Sequence, residues 1–333
     1  MTNSAELYGL PRYSLKGVLG GILQAFDRFP PGDYGQQEIQ QSLSSIKSYL
    51  NESSDYLESH LPASINESLS LIGSAISLTE IEVSGYDDSE REKHISLLNS
   101  LIQLKGSFGK TVRAKQSDRI RGLYVIIDPQ VTNGRDPLDI ALGAIRGGAR
   151  IIQLRDKLRD KGEIIPLAIE LKKLCQDNNL LLIINDHVDI AAALGPDNVG
   201  VHVGQTDLPV SHSRRILHDS QLIGRSNREI PLLVESQEMG ADHVAFGAIY
   251  PTTTKPGGIG HRGNQGPDRV KEARAVTKVP LVCIGGITVD NVAPVVEAGA
   301  DSICVAAAIG LAEDPEAATK KLVDAIRYAG GAT

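Results

Sequence analysis

From Leu123 to the end of the chain, short β-branched and aliphatic runs alternate with segments of helical spacing, and the alternation occurs eight times. The strand candidates are 123–128, 150–155, 180–186, 199–204, 221–226, 243–250, 280–285 and 302–308. Helix candidates lie near 136–147, 161–178, 187–194, 209–218, 230–239, 267–277, 289–298 and 314–328. A run such as Leu181-Leu182-Ile183-Ile184 is apolar on both faces, as expected of a strand buried on both sides, and βα alternation implies parallel pairing. Eight such units predict an α/β chain folded as a closed (β/α)8 TIM barrel over 122–330. The alternative is an open, doubly wound sheet. It would carry a glycine fingerprint after its first strand, where this chain has Asp128-Pro129-Gln130. The turns at 147–150, 240–243 and 299–302 repeat a Gly-Ala-Asp or Gly-Ala-Arg pattern, which predicts helix C-caps at the base of the barrel.

Residues 1–118 have a different texture. No lysine or arginine occurs between Lys47 and Arg91, and apolar residues recur at helical spacing: Leu43, Ile46, Leu50 and Leu57, then Leu69, Ile72 and Ile76, then Leu98, Leu101, Ile102 and Leu104. Ser64-Ile65-Asn66-Glu67 and Ser89-Glu90-Arg91-Glu92 match capping boxes. The reading is a small all-helical N-terminal domain, 1–118, that carries no recognisable chemistry and serves as a packing or homo-oligomerisation module. Hydrophobic content of 41% and charged content of 23% suit a soluble globular protein with a real core. No run approaches the roughly 18 apolar residues of a membrane span, and the first residues lack the pattern of a secretory signal, so no membrane partner and a cytoplasmic location are expected. Cys175, Cys283 and Cys304 sit in apolar sequence without metal-site spacing and are read as buried small hydrophobes. A net charge of −7 argues against nucleic acid as a partner.

In a barrel of this kind the chemistry gathers where the strands end. Tyr250-Pro251-Thr252-Thr253-Thr254-Lys255-Pro256-Gly257-Gly258 offers hydroxyls, backbone N–H groups and an ammonium to phosphate oxygens. The glycine-rich stretch through Gly266 is a candidate lid. Alternation sends Gln153, Arg155 and Lys157 to one side as strand 2 runs out, a set suited to a diphosphate. Asp186 and Asp207 fall at neighbouring strand ends and suit a hard cation such as Mg2+ beside phosphates, with helix N-capping as the alternative for each. His187 and His202 are general-base candidates, Ser226 ends strand 5, and backbone N–H groups near Gly285-Gly286 and Ala306-Ala307 suit phosphate.

Taken in order, QLRDK at 153–157, NDH at 185–187, HVGQTDL at 202–208, IGRS at 223–226, PTTTK at 251–255 and CIGGI at 283–287 followed by VAAAI resemble the thiamine phosphate synthase family over 122–330. The resemblance implies an enzyme that couples an aminopyrimidine diphosphate to a thiazole phosphate and releases pyrophosphate. Its small-molecule substrates bind with Mg2+, and the leaving group departs before the thiazole nitrogen attacks. It assigns the pyrimidine diphosphate to Gln153, Leu154, Arg155, Asp156, Lys157, Asn185, Ser226 and Lys255, with Arg155, Lys157 and Lys255 catalytic. Magnesium falls to Asp186 and Asp207, and the thiazole phosphate to Thr252, Thr253, Thr254, Gly286, Ala306 and Ala307. Two positions depart from the family pattern: Asn227 follows Ser226 where a histidine is usual nearby, and Ala307 stands where serine is frequent. A thiazole tautomerase, or a non-catalytic sensor of thiamine phosphate, are the other readings; the retained Arg155, Lys157, Asp186, Asp207 and Lys255 speak against the tautomerase.

Overall fold

The computed structural model describes residues 15–28, 37–51, 64–83, 88–252 and 265–333. The chain forms two compact units, Met1–Val112 and Arg113–Thr333. Among the described residues the first unit is helical: α1 (Leu15–Arg28), α2 (Gln37–Asn51), α3 (Ile65–Val83) and the start of α4 (Asp88–Ser117). Helix α1 is absent from the sequence-based reading, although Leu15, Val18, Leu19, Ile22 and Phe26 give it a continuous buried stripe. Leu43, Ile46, Leu50, Leu69, Ile72, Leu101 and Leu104 join it in one core, where Phe26 meets Phe108 at 4.7 Å between ring centroids. Ile102 is 50% exposed, because the inward stripe of α4 runs through Leu97, Leu101 and Leu104 instead. Ser64 caps α3, its Oγ accepting from the Glu67 N–H at 3.1 Å. The second predicted box starts one residue inside α4. Leu57 lies outside the described residues.

The second unit is a closed parallel barrel in chain order, β1-β2-β3-β4-β5-β6-β7-β8. Its strands are β1 (Gly122–Ile127), β2 (Ile151–Leu154), β3 (Leu181–Asn185), β4 (Val199–Val203), β5 (Ile223–Asn227), β6 (His243–Gly247), β7 (Leu281–Ile284) and β8 (Ser302–Val305). Helices α5 (Pro137–Arg146), α6 (Lys161–Asp177), α7 (Val188–Leu194), α8 (Val210–Ile216), α9 (Ile230–Glu238), α10 (Gly266–Val276), α11 (Ala293–Glu297) and α13 (Pro315–Tyr328) follow the strands in turn. All eight predicted strands are present. The last is shorter than expected, because β8 stops at Val305 and a short helix, α12 (Ala307–Gly310), begins.

Alternation divides each strand between two cores. Leu123, Val125, Ile127, Leu154, Leu182 and Ile184 pack outward beneath the helices. Tyr124, Ile126, Ile151, Leu181, Ile183, Leu222, Ala245, Val282 and Cys304 fill the interior.

The Gly-Ala-Asp turns stitch strand beginnings together. Gly240 and Gly299 take φ of 88° and 102°, which frees them as caps, and the following aspartates reach back. Asp242 accepts from the Ile223 N–H at 2.8 Å and from Arg214 and Arg113. Asp301 accepts from the Leu281 N–H at 2.9 Å, from Arg121 at 2.9 Å and from Arg274. The chain returns to its barrel's start at the C-terminus: a Cβ built on Gly122 would lie 3.1 Å from the Ala332 carbonyl oxygen.

Candidate active site

Gln153 in strand β2 and Arg155 just past its end share the inward parity, and each is held by a group in or just past strand β1. The Gln153 amide donates to the Tyr124 hydroxyl at 2.6 Å, and burial keeps that phenol well above its ordinary pKa, as an uncharged partner. Arg155 is paired through Nη1 with Asp128, whose other oxygen accepts from the Gln130 N–H at 3.0 Å. The Arg155 Nε is buried and has no hydrogen-bond partner among the described residues. Two neighbours in the same motif look elsewhere. Leu154 faces outward into the helix-covered core. Asp156 folds into its own turn, accepting from the Leu158 and Arg159 N–H groups at 3.1 Å each and pairing with Arg159. Burial alone would raise the Asp156 pKa, but the Arg159 side chain and these N–H bonds outweigh it and hold the carboxyl below its usual range.

Lys157 crosses to strand β3, its Nζ 2.6 Å from Asp186 Oδ2. Asp186 takes φ of 62°, anchored by its N–H on the His202 carbonyl at 2.8 Å, so the chain turns sharply as β3 ends. Asp207 returns from the β4 loop, its Oδ2 accepting from the Gly204 N–H at 2.7 Å. Partial burial raises the Asp207 pKa, and a hydrogen bond with Asp186 raises it further. Two carboxylates this close repel unless a proton or cation sits between them, so the pair fits a hard divalent ion completed by ligand oxygens. No group of three or more histidine, cysteine or acidic residues placed to hold a metal ion is found among the described residues. The capping alternative fails for both aspartates: His187 precedes α7 and Pro209 precedes α8. Asn185, inward-facing by its parity with Leu181 and Ile183, is buried with its Nδ2 unpartnered among the described residues.

Ser226 Oγ lies 2.8 Å from His202 Nε2, which gives that histidine a partner the sequence reading did not foresee. Gln205 donates to the Ser226 carbonyl at 2.6 Å and accepts from Arg225 at 2.9 Å. Asn227 points away from the interior. It is buried, receives the Ser236 hydroxyl at 2.7 Å and donates to the Arg225 carbonyl at 2.9 Å, so its departure from the family pattern falls in the scaffold. Asp128, Tyr124 and Gln205 are the neighbours of the candidate residues that sequence reasoning passed over. Asp128 was legible: it follows Tyr124 and Ile126 at the same parity and ends an apolar strand in a charge.

On the opposite rim, Gly285 and Gly286 take φ of 104° and 65°. A Cβ on Gly286 would lie 2.4 Å from the Pro251 carbonyl oxygen, so only glycine lets the two loops approach. Asn291 braces the turn, donating to the Gly286 carbonyl at 3.0 Å and accepting from the Thr288 N–H at 2.8 Å. Ala306 and Ala307 open α12 immediately after β8. Thr252 is half-buried at the end of the described loop. Thr253, Thr254, Lys255 and the candidate lid up to residue 264 lie outside the described residues. Beyond them the chain is held again at Gln265, whose N–H donates to the Ala248 carbonyl at 3.0 Å and whose amide donates to the Arg228 carbonyl at 2.9 Å.

Known proteins match the barrel part of the chain. The family model described as thiamine monophosphate synthase matches residues 123–309. A thiamine-phosphate synthase of Natronomonas pharaonis is 42% identical over 205 residues, covering 62% of this chain and 94% of the relative. One from Shouchella clausii is 39% identical over 207 residues, covering 62% and 97%. The solved thiamine phosphate pyrophosphorylase of Pyrococcus furiosus superposes with a TM-score of 0.57 at 28% identity, covering 64% of this chain and 98% of that one.

Proposed function

Given that the chain belongs to the thiamine monophosphate synthase family, whose members are transferases, we propose how its own residues run that reaction. An aminopyrimidine diphosphate loses pyrophosphate from its methylene carbon, and the nitrogen of a thiazole phosphate takes its place, giving thiamine phosphate. The difficulty lies in separating a carbocation from a highly charged anion, so charge placement and exclusion of water matter more than any protein nucleophile. The observation that carries the reading is the meeting of Lys157, Asp186 and Asp207 at one end of the barrel, with Arg155 just past the end of the strand that leads to Lys157.

Lys157 and Arg155 would bind the diphosphate and hold charge as it grows on the departing group; Arg155 presents its buried Nε there while Asp128 fixes the rest of the guanidinium. Asp186 and Asp207 would hold Mg2+ together with diphosphate oxygens, and the bound ion would supply electrostatic stabilisation of the leaving group. Lys255 would add a further cation from the threonine loop. Gln153 and Asn185, inward and buried, would orient the pyrimidine ring, with Ser226 beside them; Leu154 and Asp156 would contribute through backbone atoms only, given where their side chains go. Thr252, Thr253 and Thr254, with backbone N–H groups at Gly286, Ala306 and Ala307, would hold the thiazole phosphate with its nitrogen towards the same carbon. Loss of the usual serine hydroxyl at Ala307 leaves that backbone donor intact. The N-terminal helical unit is proposed as an assembly module, and the cytoplasm as the working location.

Pyrophosphate release, measured with both substrates and Mg2+, tests the reading. Release should require both substrates and stop on chelation, and Lys157→Ala should lower kcat by at least tenfold, the loss expected when a charge-assisted contact made in the transition state is removed. A chain that bound thiamine phosphate yet released no pyrophosphate would be a sensor, and the proposed activity would fall.

A further inference from the structure

Beneath the mouth of the barrel, strand register lines up Asn185 with His202, His202 with Gly224, and Gly224 with His243. The row is an unusual thing to build inside a barrel, because its histidines occupy inward positions where neighbouring layers carry aliphatic side chains. His243 is completely buried, and neither of its ring nitrogens has a hydrogen-bond partner among the described residues. An imidazole left so keeps the full desolvation penalty of its unmet groups, which natural interiors rarely tolerate. The two rings stand 5.6 Å apart, centroid to centroid, at 32°.

Gly224 explains how they meet. A Cβ built on it would fall 2.0 Å from His243 Nε2 and 2.5 Å from His202 Nδ1, so both nitrogens converge on the space that glycine leaves open. Since both lie so near one point, they cannot be further apart than the sum of those distances, and a slight closure brings them to hydrogen-bond range. His202 meanwhile uses its other nitrogen on Ser226 Oγ at 2.8 Å. Burial holds His243 neutral, with its pKa near 4, so one of its nitrogens carries a hydrogen and the other does not.

We propose that His243, His202 and Ser226 form one hydrogen-bonded chain, in which His243 is a positioning residue that sets the direction of the Ser226 hydroxyl. Placing an anion at the mouth selects the polarity. His243 Nε2–H donates to His202 Nδ1, His202 Nε2–H donates to Ser226 Oγ, and the serine O–H points outward at a diphosphate oxygen. Each bond polarises the next, and all the dipoles are aimed at charge that grows as pyrophosphate departs. With the opposite tautomers the serine would donate inward and turn lone pairs on the anion. This proposal rests on the reading of Ser226 as a diphosphate contact.

Nitrogen-15 shifts of the histidine rings, read on the full chain with inorganic pyrophosphate and Mg2+ added, test the chain directly. His202 should be a single neutral tautomer with hydrogen on Nε2, and His243 should carry its hydrogen on Nε2. His243→Phe, which keeps a planar ring but no donor, should let His202 populate both tautomers and lower kcat about tenfold. The KM for thiazole phosphate should stay unchanged. His243→Gln, which restores an N–H at similar reach, should recover most of both signals. Hydrogen on His202 Nδ1 in the wild type, or a His243→Phe variant with unchanged ring shifts and kcat, overturns the proposal. A wild-type chain that shows the expected shifts but releases no pyrophosphate would instead overturn the functional reading and leave the chain standing.

Discussion

Asp128 and Arg155 illustrate a division of labour between neighbours. The carboxylate holds one edge of the guanidinium, and the buried Nε has no hydrogen-bond partner among the described residues, the position proposed for the diphosphate. Asp128→Ala should raise the KM for the pyrimidine diphosphate about tenfold or more and leave that for thiazole phosphate unchanged, as separate titrations of the two substrates would show. His243 carries a pH signature of its own. Its pKa is lowered from 6.5 to about 4 in the fold, so between those values the unfolded chain binds a proton that the folded one refuses. Stability is therefore intact above 6.5 and falls as pH drops towards 4, by about 1.4 kcal/mol per unit and on the order of 3 kcal/mol in all. Urea unfolding at pH 7, 5.5 and 4.5 should show this loss in the wild type and a flatter profile in His243→Phe. Parity made much of the site readable: Gln153 and Arg155 turn inward as alternation requires, and the strand ends bring Lys157, Asp186 and Asp207 together. What parity did not reveal is who meets whom. Leu154 and Asp156 share a motif with inward-facing residues yet turn to the core and to a local turn, and the His202–Ser226 contact depends on the β4–β5 register, which periodicity does not set.

At the level of strands and helices, the eightfold alternation was visible because a strand covered on both faces leaves a continuous apolar run. The end of β8 was misread for the same reason: Ala306, Ala307 and Ala308 extend the run without a polar break, and small residues suit a helix start as well as a strand. Helix α1 was missed although its apolar stripe is regular, the two glycines at its centre having weakened the helical signal. The aspartates of the Gly-Ala-Asp turns matter more than their glycines suggested. Asp301 joins the start of β7 to the turn before β8 and binds two arginines, so Asp301→Ala leaves the Leu281 N–H without its acceptor and Arg274 Nη1 without its carboxylate. Chemical denaturation should report a loss of about 2–4 kcal/mol, with little change in the KM of folded enzyme.

For the molecule as a whole, the family match covers residues 123–309, and relatives of nearly barrel length are thiamine-phosphate synthases. A fragment from Arg113 to Thr333 keeps the Arg113–Asp242 pair and should retain turnover within a few-fold of the full chain, while its mass in solution reports whether residues before it drive assembly. Loss of all pyrophosphate release in a folded fragment would assign those residues a part in the chemistry. The first 118 residues resisted functional reading because helical periodicity encodes packing, and packing alone names no ligand. The approach of Ala332 to Gly122 adds something further. A barrel whose tail finishes beside its first strand has, in effect, no preferred beginning: joined there and reopened at the turn around Asp197, the same ring of strands would be spelled in a different order, and the pyrophosphate chemistry should survive the rewriting.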